Sequence, residues 1–178
     1  MCIEIEAKLK VDSLAQVERK LAELGAKFVA EQLQSDSQLD DASTTLLSTD
    51  RSLRLRRQVV GGSARHILTY KGGKEDSDFK RRQEIETEIK DADSMRRLLS
   101  ELGYEQVLVV EKKRRLWRLD RCEVALDELP LLGCFVEIEG PDEKRIADVQ
   151  ERLGLSDLPH IGKSYAHLIK EQHCRRNA

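Results

Sequence analysis

Short segments in which charged and apolar residues alternate recur along this chain, and the first of them comes near the start. Residues 4–8 read EIEAK, with an acid or a base at every second position. A β-strand points alternate side chains to opposite faces, so the charged residues of this segment share one face and its apolar residues the other. Residues 52–60, 82–89 and 134–139 repeat the pattern. The repetition predicts a sheet with one charged face and one apolar face.

Hydrophobic periodicity and turn residues divide the whole chain into strands and helices. We predict strands at residues 2–10, 28–40, 52–60, 66–71, 82–89, 107–119, 121–126 and 134–139, helices at 14–24, 91–102, 142–154 and 162–173, and a polar, mobile loop at 72–79. An antiparallel sheet of eight strands can close into a barrel, whose inside and outside alternate along every strand. The apolar face can then pack beneath the helices, which leaves the charged face to line the interior.

The predicted fold is therefore α+β: a closed eight-stranded antiparallel β-barrel with helices packed outside. No internal repeat, low-complexity segment or linker divides the sequence. We therefore predict a single domain over residues 1–178, whose terminal helix covers about residues 162–173.

The composition narrows the class of partner. Charged residues make up 36% of the 178 residues, yet 31 Lys and Arg against 33 Asp and Glu leave a formal net charge of only −2. Proteins that bind duplex nucleic acid normally carry a basic excess, so we expect no nucleic-acid partner. The sequence has no apolar run of membrane-spanning length, no basic and apolar signal-peptide pattern at its start, and no metal-binding spacing among its four cysteines. We expect a cytoplasmic protein with reduced thiols and no membrane contact.

The charged strand faces carry a set of acids and bases that suits a metal-bound polyphosphate. The acids are Glu4, Glu6, Glu84, Glu86, Glu88, Asp127, Glu137 and Glu139, and the bases are Lys8, Arg54, Arg56, Lys71, Arg82, Lys112 and Arg114. Hard divalent cations such as Mg²⁺ take oxygen ligands and usually share them with phosphates. Arg binds phosphate oxygens as a fork, and Lys binds them as a point charge. For any one strand the alternative of a solvated charged face stays open, but the recurrence over several strands favours a charged interior.

Several motifs follow one another in the order and spacing of a known family. They are Glu4-x-Glu6-x-Lys8, Leu53-Arg54-Leu55-Arg56, Leu68-Thr69-Tyr70-Lys71-Gly72, Arg82-x-Glu84-x-Glu86, Lys112-x-Arg114, Leu126-Asp127, Leu132-Gly133-x-Phe135-Val136-Glu137-Ile138-Glu139 and Lys163-Ser164-Tyr165. Together they resemble the CYTH superfamily, also called the triphosphate tunnel metalloenzymes, over about residues 2–170. The resemblance implies a closed eight-stranded tunnel that binds a triphosphate with Mg²⁺ or Mn²⁺.

The same resemblance implies a role for each matching residue. The metal ligands would be Glu4, Glu6, Glu137 and Glu139, which with Lys8 would also be the catalytic residues. The triphosphate would be held by Lys8, Arg54, Arg56, Lys71, Arg82, Lys112, Arg114 and Lys163, and the tunnel would also be lined by Glu84, Glu86 and Asp127. Lys163 lies on the predicted terminal helix, which in relatives can close one mouth of the tunnel. Alternatively, Lys163 and Tyr165 belong to a surface helix with one packed aromatic ring.

Members of the superfamily share the site and differ in the reaction. Residues 132–139 and Lys163-Ser164-Tyr165 resemble class IV adenylyl cyclases most, which convert ATP into cyclic AMP and pyrophosphate. Relatives often carry an aromatic pair after the Asp of the second strand, whereas residues 36–40 read DSQLD. Hydrolysis of inorganic triphosphate, thiamine triphosphate or a nucleoside triphosphate is therefore the close alternative, and a non-catalytic polyphosphate or nucleotide sensor is a third. The expected partner is a small triphosphate, ATP or tripolyphosphate, and analogy with the cyclases suggests a homodimer.

Overall fold

Eight antiparallel strands close into a barrel in the computed structural model, which describes residues 2–74 and 79–176. The strands are β1 (Cys2–Val11), β2 (Lys27–Asp40), β3 (Ser52–Val60), β4 (Ser63–Lys71), β5 (Lys80–Ile89), β6 (Glu105–Leu119), β7 (Cys122–Leu129) and β8 (Gly133–Glu139). The helices are α1 (Leu14–Glu23), α2 (Thr45–Ser48), α3 (Ala92–Glu101), α4 (Glu143–Arg152) and α5 (Tyr165–Arg176). Around the barrel the strands follow the order β1-β5-β4-β3-β2-β6-β7-β8, and neighbours run antiparallel. The predicted fold class is confirmed.

The predicted strands all have counterparts, and the differences lie mainly at their ends. β4 begins at Ser63 instead of residue 66, because Gly61 and Gly62, both at positive φ, make a tight turn directly after β3. β7 continues to Leu129 instead of residue 126, since it pairs with both β6 and β8 along this length. Of the loop predicted at 72–79, residues 75–78 lie outside the described residues.

The short helix α2 is absent from the sequence prediction, because a single turn is too short to show helical periodicity. Its position depends on Asp40 at the end of β2. The carboxylate of this buried residue accepts hydrogen bonds from the backbone N–H groups of Leu46 and Leu47, each at 2.9 Å. These bonds satisfy N–H groups that a helix leaves free in its first turn.

The apolar strand faces point outward and pack beneath the helices, as the sequence pattern predicts. The main core joins α1 and α4 to the outer faces of β1, β7 and β8 through Leu9, Val17, Leu21, Val124, Leu126, Val136, Ile138, Ile146 and Val149. A second cluster places Leu99 of α3 against Leu39 and Leu55. Burying each such side chain contributes about 1.5–3 kcal/mol, so this packing decides which face of the sheet points outward. The charged face is left to point into the barrel.

At one end of the barrel the inward side chains change from charged to apolar, and α5 packs there. The apolar inward residues there are Val110, Leu129 and Phe135. Each of them is two positions away from a charged inward residue of its own strand. Tyr165 and Ile169 of α5 pack against these three side chains. The rings of Tyr165 and Phe135 meet edge to face, with centroids 5.2 Å apart. The terminal helix therefore covers this end of the barrel.

The helices are short, and the longest among the described residues is α5, with 12 residues. A helix needs about 20 apolar residues to cross a bilayer. None of the helices within residues 2–74 and 79–176 has the length and apolar character for this. Cys122, Cys134 and Cys174 are free thiols.

Candidate active site

The inward side chains of the barrel surround a cavity of about 630 Å³, a size typical of small-molecule sites. Its charged lining residues are the acids Glu4, Glu6, Asp36, Glu84, Glu86, Glu123, Glu137 and Glu139 and the bases Lys8, Arg54, Arg56, Lys71, Lys80, Arg82, Lys112 and Arg114. The structure thus brings together all the charged residues expected in the tunnel except Glu88, Asp127 and Lys163. Asp127 lies behind the lining, fully buried beneath Lys112 and Arg114.

Glu4 on β1 is held by a base from β4. The ammonium group of Lys71 donates to both of its carboxylate oxygens, at 2.7 and 2.6 Å. Lys71 also lies 3.0 Å from Glu84, and Nε of Arg82 is 3.7 Å from Glu4. Burial and the neighbouring carboxylate of Glu6 raise the pKa of Glu4 above its usual value, in spite of Lys71. The Glu4 carboxylate thus lies between two bases and a second carboxylate of its own strand.

Glu6 and Glu137 share the bases beside them. Lys80 of β5 donates to Glu6, and Nζ of Lys8 lies 3.8 Å from Glu6 and 3.2 Å from Glu137. Although burial alone would lower the pKa of Lys8, Glu137 and Glu6 hold it above its usual value. For Lys80 burial prevails over Glu6 and lowers the pKa to about 7.

Asp127 joins two phosphate-binding candidates to the terminal helix. Arg114 donates to both of its carboxylate oxygens at 2.6 Å, and Lys112 donates to Oδ2 at 2.9 Å. The hydroxyl group of Tyr165 donates to Oδ2 as well, at 3.0 Å. Burial and the neighbouring Arg114 lower the pKa of Lys112 to about 8. This carboxylate orients the two bases from behind and leaves their other N–H groups toward the cavity.

Asp36 on β2 orients the bases of β3 in the same way. Arg56 donates to its two oxygens through Nε at 2.6 Å and Nη2 at 2.7 Å, and Nη1 of Arg54 lies 3.5 Å away. A second bond from Arg54 reaches the hydroxyl of Thr69 at 3.3 Å. Burial opposes ionisation, but the two guanidinium groups hold the pKa of Asp36 well below its usual value.

The four acids expected to bind a metal supply only carboxylate oxygens, which are suitable ligands for a hard divalent cation. Glu6 and Glu139 lie directly opposite each other on β1 and β8. Partial desolvation and, after it, the Glu4 carboxylate raise the pKa of Glu139 to about 7, so both disfavour its charged form. Within the described residues, however, no three side chains that could ligate a metal are gathered together. The lysines on Glu4 and Glu6 occupy oxygens that a metal would need.

Two residues of the predicted charged set lie elsewhere. The side chain of Lys163 is 56% exposed and pairs with Glu171 at 2.5 Å, so the structure does not bring its ammonium group into the tunnel. Its backbone carbonyl accepts a hydrogen bond from Nζ of Lys8 at 3.3 Å instead. Glu88 is exposed and does not line the cavity, because β5 leaves the lumen beyond Glu86.

Sequence reasoning missed two buried residues of the lining, Asp36 and Lys80. Lys80 extends the alternation of β5 by one step, as Lys80-x-Arg82-x-Glu84, but the strand prediction began at residue 82. Asp36 shares its inward face with Gln34 and Gln38, two neutral side chains, so the charged pattern is weak on β2. Extending strand ends by one alternation would have found Lys80.

Comparisons with known proteins agree with this architecture. A family model described as CYTH domain matches residues 2–165. "Putative adenylate cyclase MJ0240" of Methanocaldococcus jannaschii is 33% identical over 150 residues, which cover 84% of this chain and 81% of that protein. Adenylate cyclase CyaB of Aeromonas hydrophila is 30% identical over 178 residues, which cover 94% and 89% of the two chains.

Solved structures share the fold over nearly the whole chain. The PH1819 protein of Pyrococcus horikoshii OT3 superposes with a TM-score of 0.83 at 30% identity, over 95% of this chain and 99% of its own. A Hippeastrum protein described with a dominant triphosphatase activity superposes with a TM-score of 0.71 at 18% identity, over 95% and 96%, a likeness of fold alone. The closed barrel, its charged lumen and the match over residues 2–165 lead to one conclusion: the chain belongs to the CYTH domain family.

Proposed function

We propose that the protein is a metal-dependent enzyme that acts on a triphosphate, and that its reaction is the conversion of ATP into cyclic AMP and pyrophosphate. The observation that carries this proposal is the convergence of bases from five strands on one cavity that also holds a group of carboxylates. A ligand that needs both is an anion of high charge accompanied by a cation. The named adenylate cyclases among the relatives support the choice of ATP.

The central bases would bind the phosphates. Arg56 uses two N–H groups on Asp36, and Arg114 uses its Nε and Nη2 groups on Asp127 and Glu137. A guanidinium group has five N–H donors, so each keeps donors for a phosphate oxygen. Because the carboxylates fix these side chains in advance, little conformational entropy is lost when the anion binds.

Glu4, Glu6, Glu137 and Glu139 would hold Mg²⁺ or Mn²⁺. A cation bound there would supply charge neutralisation at the phosphates and a lower pKa for an attacking hydroxyl group. In cyclisation the 3′-hydroxyl oxygen of ATP loses its proton to water and forms a bond to the α-phosphorus, and the bond from that phosphorus to the bridging oxygen of pyrophosphate breaks. Lys8, Arg54, Arg56, Lys112 and Arg114 would stabilise the charge that develops on the leaving pyrophosphate.

Hydrolysis of a triphosphate is the second candidate, and one observation favours it. Among the described residues that line the cavity, Tyr165 is the only aromatic, and its ring is already engaged by Lys8 and Phe135. A purine therefore meets no free aromatic face in the lumen. The bases would serve a water attack on the terminal phosphorus equally well.

Product analysis separates these candidates. The protein is incubated with Mn²⁺ or Mg²⁺ and either ATP or tripolyphosphate, and the products are resolved by ion-exchange chromatography. Cyclic AMP with pyrophosphate supports the cyclase, and free phosphate from either substrate supports the triphosphatase. Tight binding without turnover of either substrate would overturn both and leave a polyphosphate sensor.

A further inference from the structure

Lys80 is a buried base of the tunnel that the proposed reaction does not yet use. It is the first residue of β5, lies opposite Glu6 of β1 in the strand register, and is 8% exposed. Its side chain lines the cavity, and its ammonium group donates a hydrogen bond to Oε1 of Glu6. No sequence motif accounts for a base at this position, so its contacts have to explain it.

Glu6 shares one carboxylate oxygen between two ammonium groups. Nζ of Lys8 lies 3.8 Å from the Oε1 atom that Lys80 also contacts. An ammonium group has three N–H donors, and within the described residues the hydrogen bond that Lys80 makes goes to this one oxygen. Lys80 therefore keeps donors for an anion in the adjacent cavity, which its side chain lines.

The pairing of Lys80 with Glu6 is matched by that of Lys71 with Glu4. Each of these carboxylates is a proposed metal ligand, and each holds an ammonium group from a neighbouring part of the barrel. Both lysines line the cavity beside the carboxylates they contact. An ammonium group and a divalent cation compete for the same carboxylate oxygens. The ammonium group donates hydrogen bonds to these oxygens, and the cation is coordinated by them.

We propose that Lys80 is a further triphosphate-binding residue, which Glu6 holds while the tunnel is metal-free and releases when Glu6 binds a divalent cation. The inference rests on the proposed function and adds a residue to it. Once Glu6 turns to a cation, Lys80 loses its hydrogen-bond acceptor, and the oxygens of a bound triphosphate offer new ones. Metal and triphosphate then strengthen each other's binding by the same factor, as linkage requires.

Calorimetric titration of the Lys80→Met variant tests this exchange without relying on turnover. The ligands are Mn²⁺ alone, tripolyphosphate alone and the Mn²⁺–tripolyphosphate complex. Removing Lys80 frees Glu6, so the variant should bind Mn²⁺ alone about tenfold more tightly than the wild type. The same variant lacks a phosphate contact, so it should bind the Mn²⁺–tripolyphosphate complex at least about tenfold more weakly. The exchange therefore predicts a gain in affinity for Mn²⁺ alone together with a loss in affinity for the Mn²⁺–tripolyphosphate complex.

Lys113→Met is the matched control. Lys113 lies on the outer face of β6, where it pairs with Glu31 at 3.1 Å with a side chain that is 45% exposed. The Lys113→Met substitution removes the same charge from the chain without touching the tunnel. The affinities for Mn²⁺ alone and for the Mn²⁺–tripolyphosphate complex should therefore stay within about twofold of the wild type. A Lys80→Met protein that binds the Mn²⁺–tripolyphosphate complex as tightly as this control would overturn the inference and reduce Lys80 to a counter-ion of Glu6.

A second variant keeps the test decisive if Lys80→Met does not fold. Glu6→Gln removes the acceptor and frees Lys80, so tripolyphosphate alone should bind at least about tenfold more tightly than to the wild type. In the double variant Glu6→Gln/Lys80→Met this gain should vanish. If the gain persists in the double variant, Lys80 does not contact the phosphates. Failure of the wild type to bind any triphosphate would refute the proposed function itself, a result distinct from both.

Discussion

Tyr165 donates a hydrogen bond from its hydroxyl group to Oδ2 of Asp127, 3.0 Å away, and so joins the terminal helix to a carboxylate in the wall of the tunnel. Burial and the nearby Glu137 hold the pKa of Tyr165 well above its usual value, so the hydroxyl keeps the proton that it donates. The ammonium groups of Lys8 and Lys112 lie 4.2 and 4.9 Å from the centre of its ring. One aromatic side chain of α5 thus contacts two of the proposed phosphate-binding bases.

The contact predicts two graded losses of stability at Tyr165. Tyr165→Phe keeps the ring and removes the hydrogen bond, so the free energy of unfolding should fall by about 1 kcal/mol. Tyr165→Ala also removes the packing against Phe135 and should cost about 3–5 kcal/mol. Urea denaturation measures both. Tyr104→Phe is the control, because the hydroxyl of Tyr104 makes no hydrogen bond within the described residues, and a Tyr165→Phe protein as stable as this control would contradict the prediction.

Asp36→Asn should destabilise the protein by about 3–5 kcal/mol, because it leaves the buried Arg56 without its carboxylate. Tripolyphosphate should restore part of this loss by neutralising the same guanidinium groups, and thermal denaturation with and without it measures the recovery. The comparison is Asp120→Asn, which breaks the exposed pair of Asp120 with Arg152 and should cost less than about 1 kcal/mol. Equal losses in the two variants would show that the buried pair adds nothing.

Glu4→Gln and Glu137→Gln should each lower turnover by at least about a hundredfold while the protein stays folded. The reason is that an amide replaces a carboxylate that the proposed metal site needs. Turnover of the substrate that product analysis identifies is measured with saturating Mn²⁺, and circular dichroism checks the fold. Glu128→Gln, at an exposed position of β7, should keep wild-type turnover. Full activity in both tunnel variants would remove the metal-site assignment.

The pKa of Lys112, lowered to about 8, predicts that affinity for metal-free tripolyphosphate falls as the pH rises above 8. Bound phosphate favours the ammonium form, so the pKa of Lys112 is higher in the complex than in the free protein. Below pH 8 the group is protonated in both states and adds no pH dependence. Above pH 8 binding must take up a proton, so affinity drops by up to about tenfold per pH unit until the pKa of the complex is reached.

Calorimetry in buffers of different ionisation enthalpy measures that proton uptake. The comparison is Lys112→Arg, which stays charged throughout this range and should show a smaller uptake at pH 9. Because the ligand titrates identically in both experiments, the difference belongs to Lys112. Identical uptake by the two proteins would mean that Lys112 is already protonated at pH 9 in the free tunnel.

The alternation of residue types was sufficient to predict which side chains share a face. In β1 the period of two assigns Glu4, Glu6 and Lys8 to one side, and the structure places all three in the lumen. The alternation gave no information on Lys163, which was assigned from the family resemblance and which precedes α5 in the structure. Tyr165, two residues further, packs inward, while the side chain of Lys163 faces solvent beside Glu171.

What the sequence determined by itself is which charged residues of a strand share a face, since the period of a strand and the burial of its apolar side are local properties of the chain. What only the tertiary structure decided is which charges meet. Lys71 reaches Glu4 across 67 positions and Lys80 reaches Glu6 across 74, and these pairs arise because β5 and β4 close the barrel beside β1. Register and closure depend on contacts along the whole chain, so no single segment could have shown that the expected metal ligands are held by lysines.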